Sequence, residues 1–214
     1  MYLPTQFEET RLEVLHELMR CHPFGTFVIA TGSGLVANHF PFLLEPGAGE
    51  LGTLRAHMAR SNPAWQRLDQ AAEALVIFQG PQSYVTPSWY PGKRADGKVV
   101  PTWDYAVVHA YGRPRAIEEP SWLFAFLEQL TRVHESNEER PWSIADAPRD
   151  YIERMVAGVV GIEMPISRIE GKWKVSQNQP VADRFGVAAG LEARATEEAR
   201  AVAALVRERG DTSG

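Results

Sequence analysis

With 214 residues, 44% of them hydrophobic and 23% charged, the chain can bury one sizeable core and reads as one domain with helical appendages. A formal net charge of −5 argues against a broad basic surface for nucleic acid, and the single Cys21 excludes a disulfide framework or a multi-cysteine zinc site. No apolar run reaches the roughly 20 residues of a membrane span, and MYLPTQFEET is no secretory leader, so a cytoplasmic protein is expected.

Residues 6–20 (QFEETRLEVLHELMR) carry helical spacing, with Leu12, Leu15, Leu18 and Met19 apolar and Pro23 closing the segment. Short strands follow at 25–30, 35–45, 50–58 and 73–80, several of them separated by glycine-rich turns. Next come QSYVT, a loop centred on PGKRADGK, and a strand from about 99 to 116. Residues 121–135 read as a helix with Leu123, Phe126, Leu127, Leu130 and Val133 inward, and 148–157 as a second. Strand character returns over 159–176 with a turn expected at Glu170-Gly171. Residues 180–209 are helical, and 210–214 are expected as a disordered tail. Five to seven antiparallel strands with peripheral helices predict an α+β fold, mainly antiparallel β, built as a small closed or split barrel.

Gly32-Ser33-Gly34-Leu35-Val36-Ala37 matches a dinucleotide fingerprint, but that motif must open a helix. Pro41 and an aromatic-rich run follow instead, so a hairpin turn is expected. In TLRAHMARSNPAW, Arg55 and His57 share one strand face, and Arg60 follows. Ser61 or Asn62 then caps a helix whose first residue is Pro63. Three potentially cationic side chains at a helix start suit a phosphate monoester; a capped helix with solvated arginines is the plain alternative.

From Tyr84 to Tyr111 lie half of the chain's Trp and Tyr residues: Tyr84, Trp89, Tyr90, Trp103, Tyr105 and Tyr111. Such rings suit a surface that is part dry and part hydrogen-bonded, namely a ligand groove or a subunit interface, though a cluster closing the barrel fits as well. Pro87 and Pro91 stiffen the loop that presents Ser88, Trp89 and Tyr90. In KWKVSQN, Lys172, Lys174 and Ser176 alternate on one face, and Gln177 and Asn178 could read an imide edge. An edge strand guarded by lysines is the other reading. No hydrolytic triad, metal spacing or phosphate loop is found, so catalytic and metal-ligating residues are both read as none.

The series HFPFLLE, GTLRAHMARSNPAW, YVTPSWYPGK, VVPTWDYAVVHAYG and KVSQNQP resembles the FMN-binding negative transcriptional regulators of the PaiB type, in order and spacing, over nearly the whole chain. The resemblance implies a split β-barrel related to pyridoxamine 5′-phosphate oxidase, one domain over 1–209, and a homodimer with FMN at the subunit interface. It also implies the site. Asn38, His39, Phe40 and Pro41 would run beside the isoalloxazine, and Arg55, His57, Arg60, Ser61 and Asn62 would serve the phosphate. Ser88, Trp89, Tyr90, Trp103, Tyr105, Lys172 and Gln177 would complete the pocket. Two positions depart from the family pattern. Asp104 stands where Asn usually follows PTW and adds a negative charge near the implied site unless it faces solvent or pairs with Lys93 or Arg94. Gln179 stands where a basic residue usually follows SQN. Three functions are compatible: a regulator with flavin as ligand or sensor, a flavin-dependent oxidoreductase using NAD(P)H or a small substrate, and a binding module for another planar ligand such as haem. Direct DNA binding is not expected, because no helix-turn-helix or basic stripe occurs.

Overall fold

Alternation of buried and open side chains, the signature of half-buried strands, marks most of the sheet. The computed structural model of the chain describes residues 1–32, 34–70, 72–93 and 97–211. The strands are β1 (Glu8–Glu9), β2 (Phe24–Thr31), β3 (Gly34–Pro41), β4 (Leu43–Glu45), β5 (Thr53–Ala59), β6 (Ala74–Val85), β7 (Thr102–Gly112), β8 (Arg115–Ile117) and β9 (Val159–Lys174). The α-helices are α1 (Leu12–Cys21), α2 (Pro120–Glu135), α3 (Arg149–Ala157), α4 (Val181–Arg194) and α5 (Glu197–Asp211). Neighbouring strands run β3-β2-β6-β7-β9-β5-β4, with β1 and β8 also on β9. The pairs β1–β9, β2–β3, β2–β6, β4–β5, β5–β9 and β8–β9 are antiparallel.

The chain divides into two compact units. One comprises Met1–Leu18, Phe78–His109 and the chain from Glu170 onward; the other comprises Met19–Ile77 and Ala110–Ile169. In the first, Leu15, Phe78, Val85, Ala106, Val108, Val187 and Leu191 form the buried interior. In the second, Phe27, Ile29, Leu54, Met58, Leu68, Val76, Leu123, Ile162 and Met164 do so.

Several expectations change. The first helix begins at Leu12, because Glu8 and Glu9 pair as a strand with Lys172 and Gly171. Strand β9 runs straight through Glu170-Gly171 without a turn. Gly171 serves close packing there: a Cβ would lie 2.1 Å from Leu15 Cδ2. The segment after Asn62 is a 3₁₀ helix, Pro63–Gln70. Asn62 Oδ1 caps it by accepting the Ala64 N–H at 3.0 Å. The C-terminal helix breaks at Ala195, whose φ of 62° ends α4, and Thr196 Oγ1 accepts the Ala199 N–H to open the next turn. Helix α5 reaches Asp211, two residues into the expected tail; residues 212–214 lie outside the described residues. Thr31 pairs with Gly34 across a hairpin, which disposes of the dinucleotide reading; Ser33 itself lies outside the described residues.

Candidate functional site

The expected site residues fall into two groups, one in each unit. Asn38 to Pro41, Arg55, His57 and Arg60 to Asn62 belong to the second unit; Ser88 to Tyr90, Trp103, Tyr105, Lys172 and Gln177 belong to the first.

In the second unit, β5 buries Leu54, Ala56 and Met58 and leaves Arg55 and His57 half-exposed. Both arginines already have partners of their own. Arg55 Nε donates to Glu163 Oε2 at 3.0 Å, and Glu45 lies 3.7 Å from its Nη1. Arg115 holds the other oxygen of Glu163. Burial alone would raise the Glu163 pKa, but the hydrogen bonds from Arg115 and Arg55 outweigh it and keep the group below the usual glutamate value. The His57 ring meets Phe126 edge-on at 5.9 Å, and burial holds its pKa below the usual histidine value. A neutral imidazole near pH 7 follows, so the cluster has two cations and not three. The His57 Nδ1 is buried and without a hydrogen-bond partner among the described residues.

Arg60 lies over the Trp65 ring at 5.8 Å and donates to the carbonyls of Ala157 (2.9 Å) and Val159 (3.1 Å) and to Glu118 (2.5 Å). Those bonds engage three of the five guanidinium N–H groups. Ser61 is exposed in a turn closed by Asn62 N–H to Ala59 O at 2.9 Å. Beside that turn stands Asn38. Asn62 Nδ2 donates to Asn38 Oδ1 at 2.8 Å, while Asn62 Oδ1 already accepts from Ala64. This chain fixes both amide orientations. It leaves Asn38 Nδ2 as a buried donor with no acceptor among the described residues. His39 is exposed and stacks on Phe24 at 6.4 Å. Phe40 is a core residue instead, clustered with Phe27 and Phe42, and Pro41 pairs with Phe24 at the strand end.

In the first unit, β7 buries Asp104, Ala106 and Val108 completely, while Trp103 is exposed and Tyr105 half-buried. Trp103 meets Tyr84 edge-on at 6.1 Å. Lys172 is buried, donates to the Tyr2 carbonyl at 3.0 Å, and has the rings of Tyr2 and Tyr105 each 5.6 Å from its Nζ. Gln177 is turned on its own backbone: Oε1 accepts the Val175 N–H at 2.7 Å and Nε2 donates to the Trp173 carbonyl. Its amide therefore shapes the strand end and does not face outward as an imide reader. Ser88 is exposed. Trp89 is not presented to solvent by a stiff loop. It lies on α4 against Gly186 and Gly190, with the Arg194 guanidinium 4.7 Å above its ring, and Tyr90 beside it is buried.

Sequence reasoning missed the group around Asp104. Ser176 Oγ donates to Asp104 Oδ2 at 2.6 Å. Lys174 Nζ donates to Thr102 Oγ1 (2.6 Å) and the Trp103 carbonyl (2.5 Å), and lies 3.6 Å from Asp104 Oδ1. Asp104 thus neither faces solvent nor relies on Lys93; Arg94 lies outside the described residues. Strand parity was the available signal, because Asp104 falls in step with Ala106, Val108 and Ala110. No group of three or more His, Cys, Asp or Glu among the described residues is placed to hold a metal ion. No helix there is long and apolar enough to cross a membrane.

Comparison with known proteins shows the family. Residues 1–168 match the family described as "Putative FMN-binding domain". The chain belongs to this family. FMN is accordingly its cofactor. The chain is 37% identical to protein AN0679 of Emericella nidulans over 99% of itself and 98% of that protein. It is 27% identical to the protease synthase and sporulation protein PAI 2 of Bacillus subtilis over 98% of each. Among solved structures, a FAD and haem binding protein of Mycobacterium smegmatis superposes with a TM-score of 0.55 at 18% identity, covering 78% of this chain and 73% of that one. The fold is α+β with an antiparallel sheet, and it is shared with that protein.

Proposed function

We propose that the protein is a PaiB-type regulator that acts through bound FMN, held at a homodimer interface. The observation that carries this reading is the Asn38 amide. A buried N–H donor without an acceptor costs roughly 1–3 kcal/mol, and a ligand that supplies the acceptor offsets that cost. Asn38 Nδ2 is that group, oriented by Asn62 at the turn that also carries Arg60 and Ser61. The fit to FMN is good in kind. Two N–H groups of Arg60 and the Ser61 hydroxyl suit a phosphate, and Trp103, Tyr105 and Lys172 suit a flat, partly polar ring system. Exposed Phe24, Leu35 and Trp103 give a second copy apolar surface to cover. When bound, FMN supplies redox chemistry of its own, and the chain's residues bind and orient it.

The net charge of −5 favours an indirect route to regulation, through the flavin state or a protein partner, over phosphate-dominated contact with DNA. The test is the visible spectrum of the purified protein after incubation with FMN and desalting. Bands near about 370 and 450 nm that persist are expected of a bound flavin; a colourless protein would sink the proposal. A sequence-specific, salt-sensitive gel shift by the pure protein at physiological salt would overturn the indirect route.

A further inference from the structure

Helix α4 buries Val187, Ala188 and Leu191 in the interior of the first unit, and Arg184 lies on the same stripe one turn earlier. Arg184 is only 9% exposed, yet it has no hydrogen bond, ion pair or ring contact among the described residues. The other buried charged residues of the unit each have a partner: Arg11 and Arg209 bind Glu9, Ser176 binds Asp104, Lys172 donates to Tyr2, and Gly92 donates to Asp183. Taking a guanidinium out of water without a counter-charge is costly. Nor does the helix that carries it hang loose. Asp183 Oδ1 accepts the Gly92 N–H at 2.8 Å, and Arg194 Nη1 donates to Ser83 Oγ and to the Tyr84 carbonyl, each at 2.8 Å. Between those anchors Gly186 packs so closely that a Cβ would stand 2.0 Å from the Trp89 carbonyl oxygen.

We propose that Arg184 is a binding residue for a phosphate group. A guanidinium offers five N–H donors in a planar fork that matches phosphate oxygens. A long helical side chain lies over the turn on its N-terminal side, here 180–183, which is also the positive end of α4. Pro180 supplies no side-chain cap to that turn, and Val181 and Ala182 are exposed, so an anion can approach from solvent. Asp183 is the acidic group of the same turn, and its Oδ1 is engaged by the Gly92 N–H. Arg55 and Arg60, by contrast, already hold carboxylates. A phosphate on Arg184 supplies the missing counter-charge and offsets the cost of burial. The FMN phosphate and the phosphate of a separate molecule share this chemistry, and the experiment tells them apart.

The test first measures the thermal midpoint of the full chain, free of flavin, in inorganic phosphate against chloride at equal ionic strength. Phosphate should raise the wild-type midpoint and leave Arg184→Met unmoved. In chloride Arg184→Met should be as stable as wild type or more so, because an unpaired buried charge has gone. A lower midpoint in chloride for both Arg184→Met and Arg184→Gln would mean a structural partner, such as a carboxylate of a second copy, and overturns the proposal. If only the Met variant fails to fold, Arg184→Gln decides: a lost phosphate response supports the site and a full one overturns it. Binding of FMN and of riboflavin, which lacks the phosphate, then names the source. A loss of about 10- to 100-fold in FMN affinity in the variant, with riboflavin affinity unchanged, assigns Arg184 to the FMN phosphate. An unchanged preference for FMN with a lost phosphate response assigns it to a separate phosphorylated molecule. No phosphate response in wild type together with an unchanged preference for FMN in the variant overturns the proposal. If wild type binds neither flavin, the FMN reading falls, and the phosphate titration alone decides this one.

Discussion

Asn38 sits in a strand where alternation gives no hint of its role, since Val36 and Asn38 are half-buried while Leu35, Ala37 and His39 are exposed. Its importance comes from a neighbour distant in sequence: Asn62 uses both ends of its own amide and so fixes which end of Asn38 is left over. Asn38→Asp keeps the oxygen that Asn62 needs and replaces the spare donor with a second acceptor. FMN binding should weaken by about 1.5–3 kcal/mol, the range for losing a charge-assisted hydrogen bond, measured by quenching of flavin fluorescence. The thermal midpoint of the ligand-free protein should change little. A variant that binds as tightly as wild type would place the phosphate and ring away from Asn38. The same single-residue logic explains Phe40, whose place among ligand residues followed from motif order. Its side chain points to the Phe27–Phe42 cluster on the buried face, and the neighbouring His39 takes the exposed one.

At the scale of elements, Trp89 shows why a loop rich in rings was legible and its use was not. Composition placed a rigid aromatic turn between two strands, and the turn Pro87–Trp89 is there. What receives Trp89 lies about 100 residues later, in the glycines of α4, and no local pattern links the two. Gly190 has no other reason to interrupt a helix, where glycine costs about 1 kcal/mol relative to alanine. A Cβ at Gly190 would come within 2.2 Å of the Trp89 ring. Gly190→Ala should therefore destabilise the protein by about 1–3 kcal/mol through overpacking, read by urea denaturation. Trp89→Ala in the same chain should remove most of that penalty, a non-additive pair expected of residues in contact. Additive losses would refute the contact. Elsewhere the same divide recurs. The strands over 25–30 and 73–80 and the helix over 121–135 were visible because their periodicity is local. Gly171 was misread as a turn because its true partner, Leu15, comes from another element. Arg55 and Arg60 were read as free because Glu163 and Glu118 are remote in sequence.

For the molecule as a whole, the pH dependence of stability is set by carboxylates of opposite behaviour. Glu9 is buried in the first unit; burial opposes its charge, but Arg11 binds it through main-chain N–H (2.8 Å) and guanidinium (3.1 and 2.8 Å), and Arg209 adds a further bond. Its pKa is lowered to about 2. Glu163, between Arg55 and Arg115 in the second unit, is lowered as well. For a group depressed on folding, the stabilisation is present above the unfolded value and is lost as pH falls through the folded one. Unfolding free energy should therefore decline from about pH 4.5 down to pH 2, the window between the ordinary glutamate value and that of Glu9. Asp104 works in the other direction, so its protonation stabilises the fold at acid pH and lessens the decline. Glu9→Gln should cost about 2–3 kcal/mol at pH 7, because a buried guanidinium contact loses its counter-charge, and should flatten the acid limb. Denaturant titrations of wild type and Glu9→Gln at pH 7 and pH 3 decide the matter: the gap between them should narrow at the lower pH. A gap that stays constant would mean that Glu9 stabilises by packing alone and that the acid limb belongs to other groups.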